Sequence, residues 1–232
     1  MLSDDLLERF GAALSVLGRL HLSPANQDTI SQMLRLSDQW PLGDVVAPDS
    51  PTGRLTRRGW QGLIASQRDG ESAESVWADQ DRLYGITATA AVPPFESVHR
   101  EEEGLVFGDH TLQVRRAYRR LGLHAPHLNR EPDDHLGLEL DFLARCCQTA
   151  LEAADSGRPD RQEQYEAAAR EFTEAHLLAW APAMLQRAAL EAHTHWVRGL
   201  ELLTLATVLM WAQALGSPLP DQDEEGYFAV RP

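Results

Sequence analysis

Apolar residues recur every three or four positions along most of this chain, and almost nowhere every two. Leu6, Phe10, Leu14, Leu17 and Leu20 draw one stripe over residues 3–21, with Ser3 placed to cap it. Ile30, Met33, Leu34 and Leu36 draw a second over 25–38. The stretch "PLGDVVAPDSPTG" at 41–53 reads as a loop, and 54–67 as a further helix despite glycines at 59 and 62. "SAESVWADQDRLY" begins a helix at Ser72 that stops near Gly85. Residues 110–121 follow, with Asp109 as N-cap and Gly122 beyond the last turn. A long helix is expected over 133–155, another over 160–179 broken by Pro182, and a last one over 188–215 closed by Gly216.

Helical spacing throughout, with strands conceivable only in the irregular 86–108 region, predicts an all-α fold of about eight to ten helices. We expect one unit spanning residues 1–232: an N-terminal segment of residues 1–122, a hinge at 123–131, a C-terminal segment of residues 132–216 and an acidic tail at 217–232. The tail "SPLPDQDEEGYFAVRP" reads as loosely held, with Tyr227 and Phe228 able to dock back.

Composition narrows the functional classes. Acids number 35 against 21 bases, a formal net charge of −14, and every base is arginine. That balance opposes non-specific nucleic-acid binding, which needs clustered cations to meet phosphates, and favours cationic partners. Two adjacent cysteines, Cys146 and Cys147, form no disulfide framework and suit a reducing compartment. The first residues, "MLSDDLLERFGAAL", lack the basic and continuously apolar stretches of a signal peptide. "LLTLATVLMWA" at 202–212 is about half the ~20 residues that span a bilayer. A cytoplasmic protein without stable membrane insertion is expected.

The densest chemistry lies in "EPDDHLGLEL", residues 131–140. On a helix starting near 133, Leu136, Leu140, Leu143 and Cys147 share one face, and Asp133 and Asp134 enter the first turn, where unpaired N–H groups favour anions. Pro132 suits the start. Capping accounts for one acid, worth about 1 kcal/mol. It leaves His135 and the surplus of Glu131 and Asp134 unexplained. A structural helix start and a binding site both remain open readings of this stretch.

Other chemistries find no support. His193 and His195, two apart, do not share a helical face, and His135 with Glu139 at i, i+4 suits a hydrogen bond better than a shared metal. Without a phosphate loop, a Gly-x-Gly-x-x-Gly turn or a nucleophile elbow, no reaction is proposed, and neither metal nor cofactor is expected. Arg57 and Arg58 in "LTRRGWQGL" read as a solvated pair, because no long apolar stretch follows them.

Three fragments in order resemble one family, the TorD/DmsD/NarJ chaperones that mature molybdenum enzymes. "EPDDHLGLELDFLA" at 131–144 is similar to that family's acidic-Pro-x-Asp-His signature. "PPFESV" at 93–98, followed by "EGLVFGDHTLQVRRAYRRLGL", resembles its proline-aromatic loop and next helix. "FTEAHLLAWAP" at 172–182 resembles its Phe-x-x-x-His-Leu-x-x-Trp-x-Pro element. Together they cover about 90–182.

The resemblance implies a non-enzymatic, all-α cytoplasmic chaperone, monomeric or a homodimer formed by domain exchange. Its partners would be the catalytic subunit of a molybdopterin-containing, DMSO-reductase-type oxidoreductase and that subunit's twin-arginine leader, whose export is held back until cofactor is inserted. By the same resemblance, signal-peptide contact falls to Leu83, Tyr84, Pro94, Phe95, Asp134 and His135. Glu131, Pro132, Asp133, His176, Trp180 and Pro182 belong to the family motifs without an assigned role. The physical requirement agrees, since two guanidinium groups and an apolar segment call for carboxylates beside an apolar groove. "LYGITA" lacks the proline of the family's usual run, and Phe95 stands where some of the family have tryptophan. Both departures leave the client open. The alternative is an all-α regulatory or scaffold protein that takes a partner helix without leader specificity.

Overall fold

The computed structural model describes residues 1–85, 90–101, 104, 106–126 and 132–231. Glu131 and the rest of 127–131 in the expected hinge lie outside them.

Ten α-helices run through the described residues: α1 (Asp4–Leu22), α2 (Gln27–Arg35), α3 (Pro51–Arg68), α4 (Ala73–Tyr84), α5 (Glu96–Arg100), α6 (Asp109–Arg120), α7 (Leu136–Asp155), α8 (Pro159–Phe172), α9 (Leu178–Glu191) and α10 (His195–Leu215). The starts follow from local chemistry. Ser3, Asn26, Ser50, Ser72 and Thr194 each accept the backbone N–H three residues on. Gly216, at φ 71°, ends α10 in the left-handed turn that glycine adopts freely. Among the described residues there is no strand, only the antiparallel bridges Phe95–His135 and Gln222–Phe228. The all-α expectation holds.

Several helix boundaries differ from the spacing-based reading: α3 begins at Pro51, within the expected loop, and α6 begins at Asp109 itself, with Gly108 as its N-cap. α7 starts at Leu136 with His135 as its N-cap, so Asp133 and Asp134 precede the helix. Pro182 does not stop the chain: a π turn at Thr173–Leu177 joins α8 to α9, and Pro182 sits inside α9. The wide π turn loosens the hydrogen-bond ladder just where the proline ring would press on the carbonyl four residues back. The break comes later, at 192–194, where Asp79 of α4 accepts the N–H groups of His193 and Thr194 at 2.9 and 2.7 Å. That capture is a tertiary event, added to the local cap that Thr194 gives α10.

The long helices pair through glycine. α1 crosses α7 where Gly18 meets Gly137, a Cβ at Gly18 falling 2.9 Å from the Gly137 carbonyl. α3 crosses α10 where Gly62 meets Gly199, a Cβ at Gly62 falling 2.8 Å from the Gly199 Cα. α10 is buried along almost its whole length, with Trp196 and Trp211, like Trp180 of α9, in the core. Phe10 of α1 meets Trp211 edge-on at 5.2 Å. One hydrophobic cluster contains residues from both sides of 123–131. The tail is not loose. It folds back on α9, with Phe228 and Val230 against the core.

Candidate functional site

The three motif segments converge on one buried polar cluster. Residues 94–96 and 134–136 run antiparallel: Glu96 N–H donates to the Asp134 carbonyl at 3.0 Å and Leu136 N–H to the Pro94 carbonyl at 2.8 Å. This short pairing brings the Phe95 ring edge-on to His135, centroids 5.2 Å apart. Asp134 then anchors two elements, accepting the Ser97 N–H of α5 at 2.7 Å and the Thr111 hydroxyl of α6 at 2.7 Å. Asp133 pairs with Arg115 at 2.5 Å, while its carbonyl accepts the Tyr118 hydroxyl. Both carboxylates are fully buried.

His135 caps α7, its Nδ1 accepting the Gly137 N–H at 3.0 Å. The expected hydrogen bond to Glu139 is absent. Glu139 accepts from Trp180 Nε1 at 3.3 Å instead, and His99 stacks on the Trp180 indole at 5.3 Å. The third segment closes the cluster, with His176 Nδ1 2.9 Å from Glu96 Oε2 and Arg100 paired to the same carboxylate. Arg100 also donates to the Ala175 carbonyl in the π turn at 2.9 Å.

Burial sets the protonation here. It pushes Glu139 well above the usual carboxylate range, and the nearby Glu96 and Asp134 push it further. His135 is half-buried, yet enclosed closely enough that desolvation takes it down to about 4, so it is neutral at pH 7.

Leu83 and Tyr84 close α4 on the same side. Leu83 is buried, its carbonyl accepting the Val92 N–H at 2.9 Å, which ties α4 to the proline-aromatic loop. The Tyr84 hydroxyl lies 2.6 Å from Glu201 Oε1 and 3.0 Å from His21 Nδ1, and His21 Nε2 lies 2.9 Å from Thr204 Oγ1. Thr204 gives its proton to the Leu200 carbonyl, so it accepts from His21 Nε2–H, leaving Nδ1 to accept from Tyr84. A protonated Glu201 then donates to Tyr84. Desolvation agrees, raising Glu201 to about 8 and lowering His21 to about 3.

The structure thus joins Leu83 to the loop carrying Pro94 and Phe95, and that loop to Asp134 and His135. All six are buried except half-buried His135, so the groove expected between them is a closed contact. Pro132, His176, Trp180 and Pro182 are buried as well. A cavity of about 300 Å³ opens beside His176, between Phe142 and Phe172 below and Arg116 and Arg120 at the rim.

Sequence reasoning missed Glu96, Arg100, Arg115 and Glu201. Glu201 carried a signal as a lone acid in the apolar run 200–212, and Glu96 with Arg100 the i, i+4 spacing of a helical ion pair. Both cysteine thiols are buried and pushed well up by desolvation, and no His/Cys/Asp/Glu cluster among the described residues is arranged to hold a metal. The arrangement anchors chain segments and offers no nucleophile. No helix among them is long and apolar enough to cross a membrane.

The family model described as nitrate reductase delta subunit matches residues 54–186, more than half of the chain and all three motif segments. The chain belongs to this family, and the resemblance to the TorD/DmsD/NarJ group is borne out. The Tat proofreading chaperone DmsD of Salmonella typhi is 28% identical over 217 residues, covering 90% of this chain and 92% of that protein. The chlorate reductase assembly chaperone protein of Ideonella dechloratans is 34% identical over 135 residues, covering 58% of this chain and 65% of the relative. The chaperone protein TorD of Vibrio cholerae is 33% identical over 94 residues, 40% of this chain and 41% of the other.

Proposed function

We propose that this protein is a cytoplasmic assembly chaperone for a molybdopterin-containing oxidoreductase. It binds the catalytic subunit's twin-arginine leader and holds back export until cofactor is in place. The observation that carries the reading is family membership over the residues that hold the converging motifs, within a family whose similar members are named proofreading and assembly chaperones. The site supports a binding role, because its carboxylates fix loops instead of facing a reacting group. The net charge of −14 suits a dibasic leader. Leu83, Tyr84, Pro94, Phe95, Asp134 and His135 form the leader-recognition region, with His135 as its accessible polar edge.

Calorimetry of the full chain with synthetic twin-arginine leaders tests this. Saturable binding that weakens with added salt is expected. No binding to any leader encoded beside the gene, at low or physiological salt, would sink the proposal.

A further inference from the structure

Residues 227–231 lie across α9 and the π turn as an extended segment entered through Gly226 at φ 85°, and its main chain is read at both edges. The Gln186 carboxamide donates to the Gly226 carbonyl at 3.0 Å and accepts the Phe228 N–H at 3.0 Å, as a neighbouring strand would. Three residues on, Arg231 N–H donates to the Ala179 carbonyl at 2.8 Å, and the Arg231 carbonyl accepts Arg100 Nε at 2.9 Å. Side chains alternate in step. Phe228 and Val230 turn inward against the core, while Tyr227, Ala229 and Arg231 face out. The Arg231 guanidinium donates to the Glu174 carbonyl at 3.1 Å, which gives the last position a preference for a cationic donor.

Main-chain hydrogen bonds combined with pockets for alternate side chains are the anatomy of extended-peptide recognition. Three of the four main-chain contacts do not depend on which residue supplies the backbone; the fourth is made by the carbonyl of Gly226, whose φ of 85° favours glycine. An extended segment with two apolar side chains two residues apart, followed by arginine and preceded by glycine, meets the same donors and acceptors. The strip also joins the motif cluster directly, because Arg100 holds Arg231, Glu96 and the Ala175 carbonyl together. An acidic turn precedes it, closed on itself by Asp223, whose Oδ1 accepts the Glu225 and Tyr227 N–H groups. The turn is thus held by hydrogen bonds within residues 222–227, the Gln222 carboxamide also donating to the Gly226 carbonyl at 2.9 Å.

We infer that the face made by Gln186, Ala179, Glu174 and Arg100 is a docking strip for an extended apolar-x-apolar-Arg segment of a client protein, which residues 226–231 occupy in the resting chain. This goes beyond leader binding and does not depend on it.

The test uses a fluorescent peptide of residues 225–231, EGYFAVR, with the unaltered full chain and with a full-chain variant carrying Phe228→Asp and Val230→Asp. Freed of its internal competitor, the variant should bind the peptide about tenfold or more tightly than the unaltered chain. Gln186→Ala in the freed chain should reverse most of that gain. A freed variant with native helicity that binds no better than the unaltered chain overturns the inference. Should the variant not fold, hydrogen exchange of the unaltered chain decides. Faster exchange of the Phe228 and Arg231 amides in millimolar peptide supports the strip, and unchanged exchange overturns it. Peptide binding without any leader binding would sustain the strip and remove the leader reading. Leader binding with no peptide effect would do the reverse.

Discussion

Phe95 and His135 face each other across a single antiparallel bridge, rings edge-on at 5.2 Å, so two family motifs distant in sequence meet in one closed contact. His135 does two jobs there that substitution separates. As N-cap of α7 it accepts the Gly137 N–H. His135→Ala removes that cap and should cost about 1 kcal/mol in urea unfolding, whereas His135→Asn keeps a good cap and should cost little. If the imidazole contacts the leader, both variants lose leader affinity to a similar degree in calorimetry. An Asn variant with wild-type affinity would reduce His135 to a cap.

Asp134 is expected to behave differently. Its two oxygens fasten α5 and α6 to the start of α7 from a fully buried position. Asp134→Ala orphans a buried N–H and should lower the unfolding free energy by about 1–3 kcal/mol, read as a fall in urea midpoint at unchanged slope. Any loss of leader binding in this variant then comes with lost stability. A wild-type midpoint would contradict the anchoring role.

The class of fold was legible because period 3.6 spacing is a local signal, and Ser3, Ser72 and Gly216 are local punctuation. The helix start at 133–136 was not. Two acids before an apolar run satisfy the rule for a first turn, and only contacts with Ser97, Thr111 and Arg115 reveal that they belong to a loop. The same limit applies to Pro182, which the π turn accommodates, and in part to the break at 192–194, where Asp79 of another helix adds to the local cap of Thr194. Of the site, the motif residues could be named from the sequence. Their partners Glu96 and Arg115 could not, because pairing across 18 to 80 residues leaves no periodic trace; only the Glu96–Arg100 pair stands at local, four-residue spacing.

Gly59 and Gly62 weaken α3 as a helix on propensity alone, yet the α3–α10 contact requires them. A Cβ at Gly199 would fall 2.7 Å from the Gly59 carbonyl and 2.8 Å from the Leu63 nitrogen, both rigid backbone. Gly199→Ala gains up to about 1 kcal/mol of helix propensity but has to force two helices apart. A net loss of about 1–3 kcal/mol is expected, seen as a lower melting temperature. An unchanged or higher melting temperature would show that the crossing yields freely.

Two sets of buried groups pull stability in opposite directions with pH, and Glu201 belongs to the set that lowers it as pH rises. Its carboxyl is raised from an ordinary 4.5 to about 8, so between those values the folded chain holds a proton that the unfolded chain has lost. Stability therefore declines as pH rises through that window, by at most about 1.4 kcal/mol per unit for one group. Glu139, also raised, acts in the same direction. His21 and His135, lowered from 6.5 to about 3 and about 4, act oppositely: below 6.5 the unfolded chain takes up protons the folded chain refuses. Between pH 6.5 and 8 the two histidines contribute little, and the buried acids set the slope. Glu201→Gln keeps a donor for Tyr84 while removing one titration, so urea unfolding across this interval should show a flatter decline than the unaltered chain. Parallel curves for the two proteins would mean that Glu201 is already ionised in the fold, and the directed chain from Glu201 through Tyr84 to His21 would have to be abandoned.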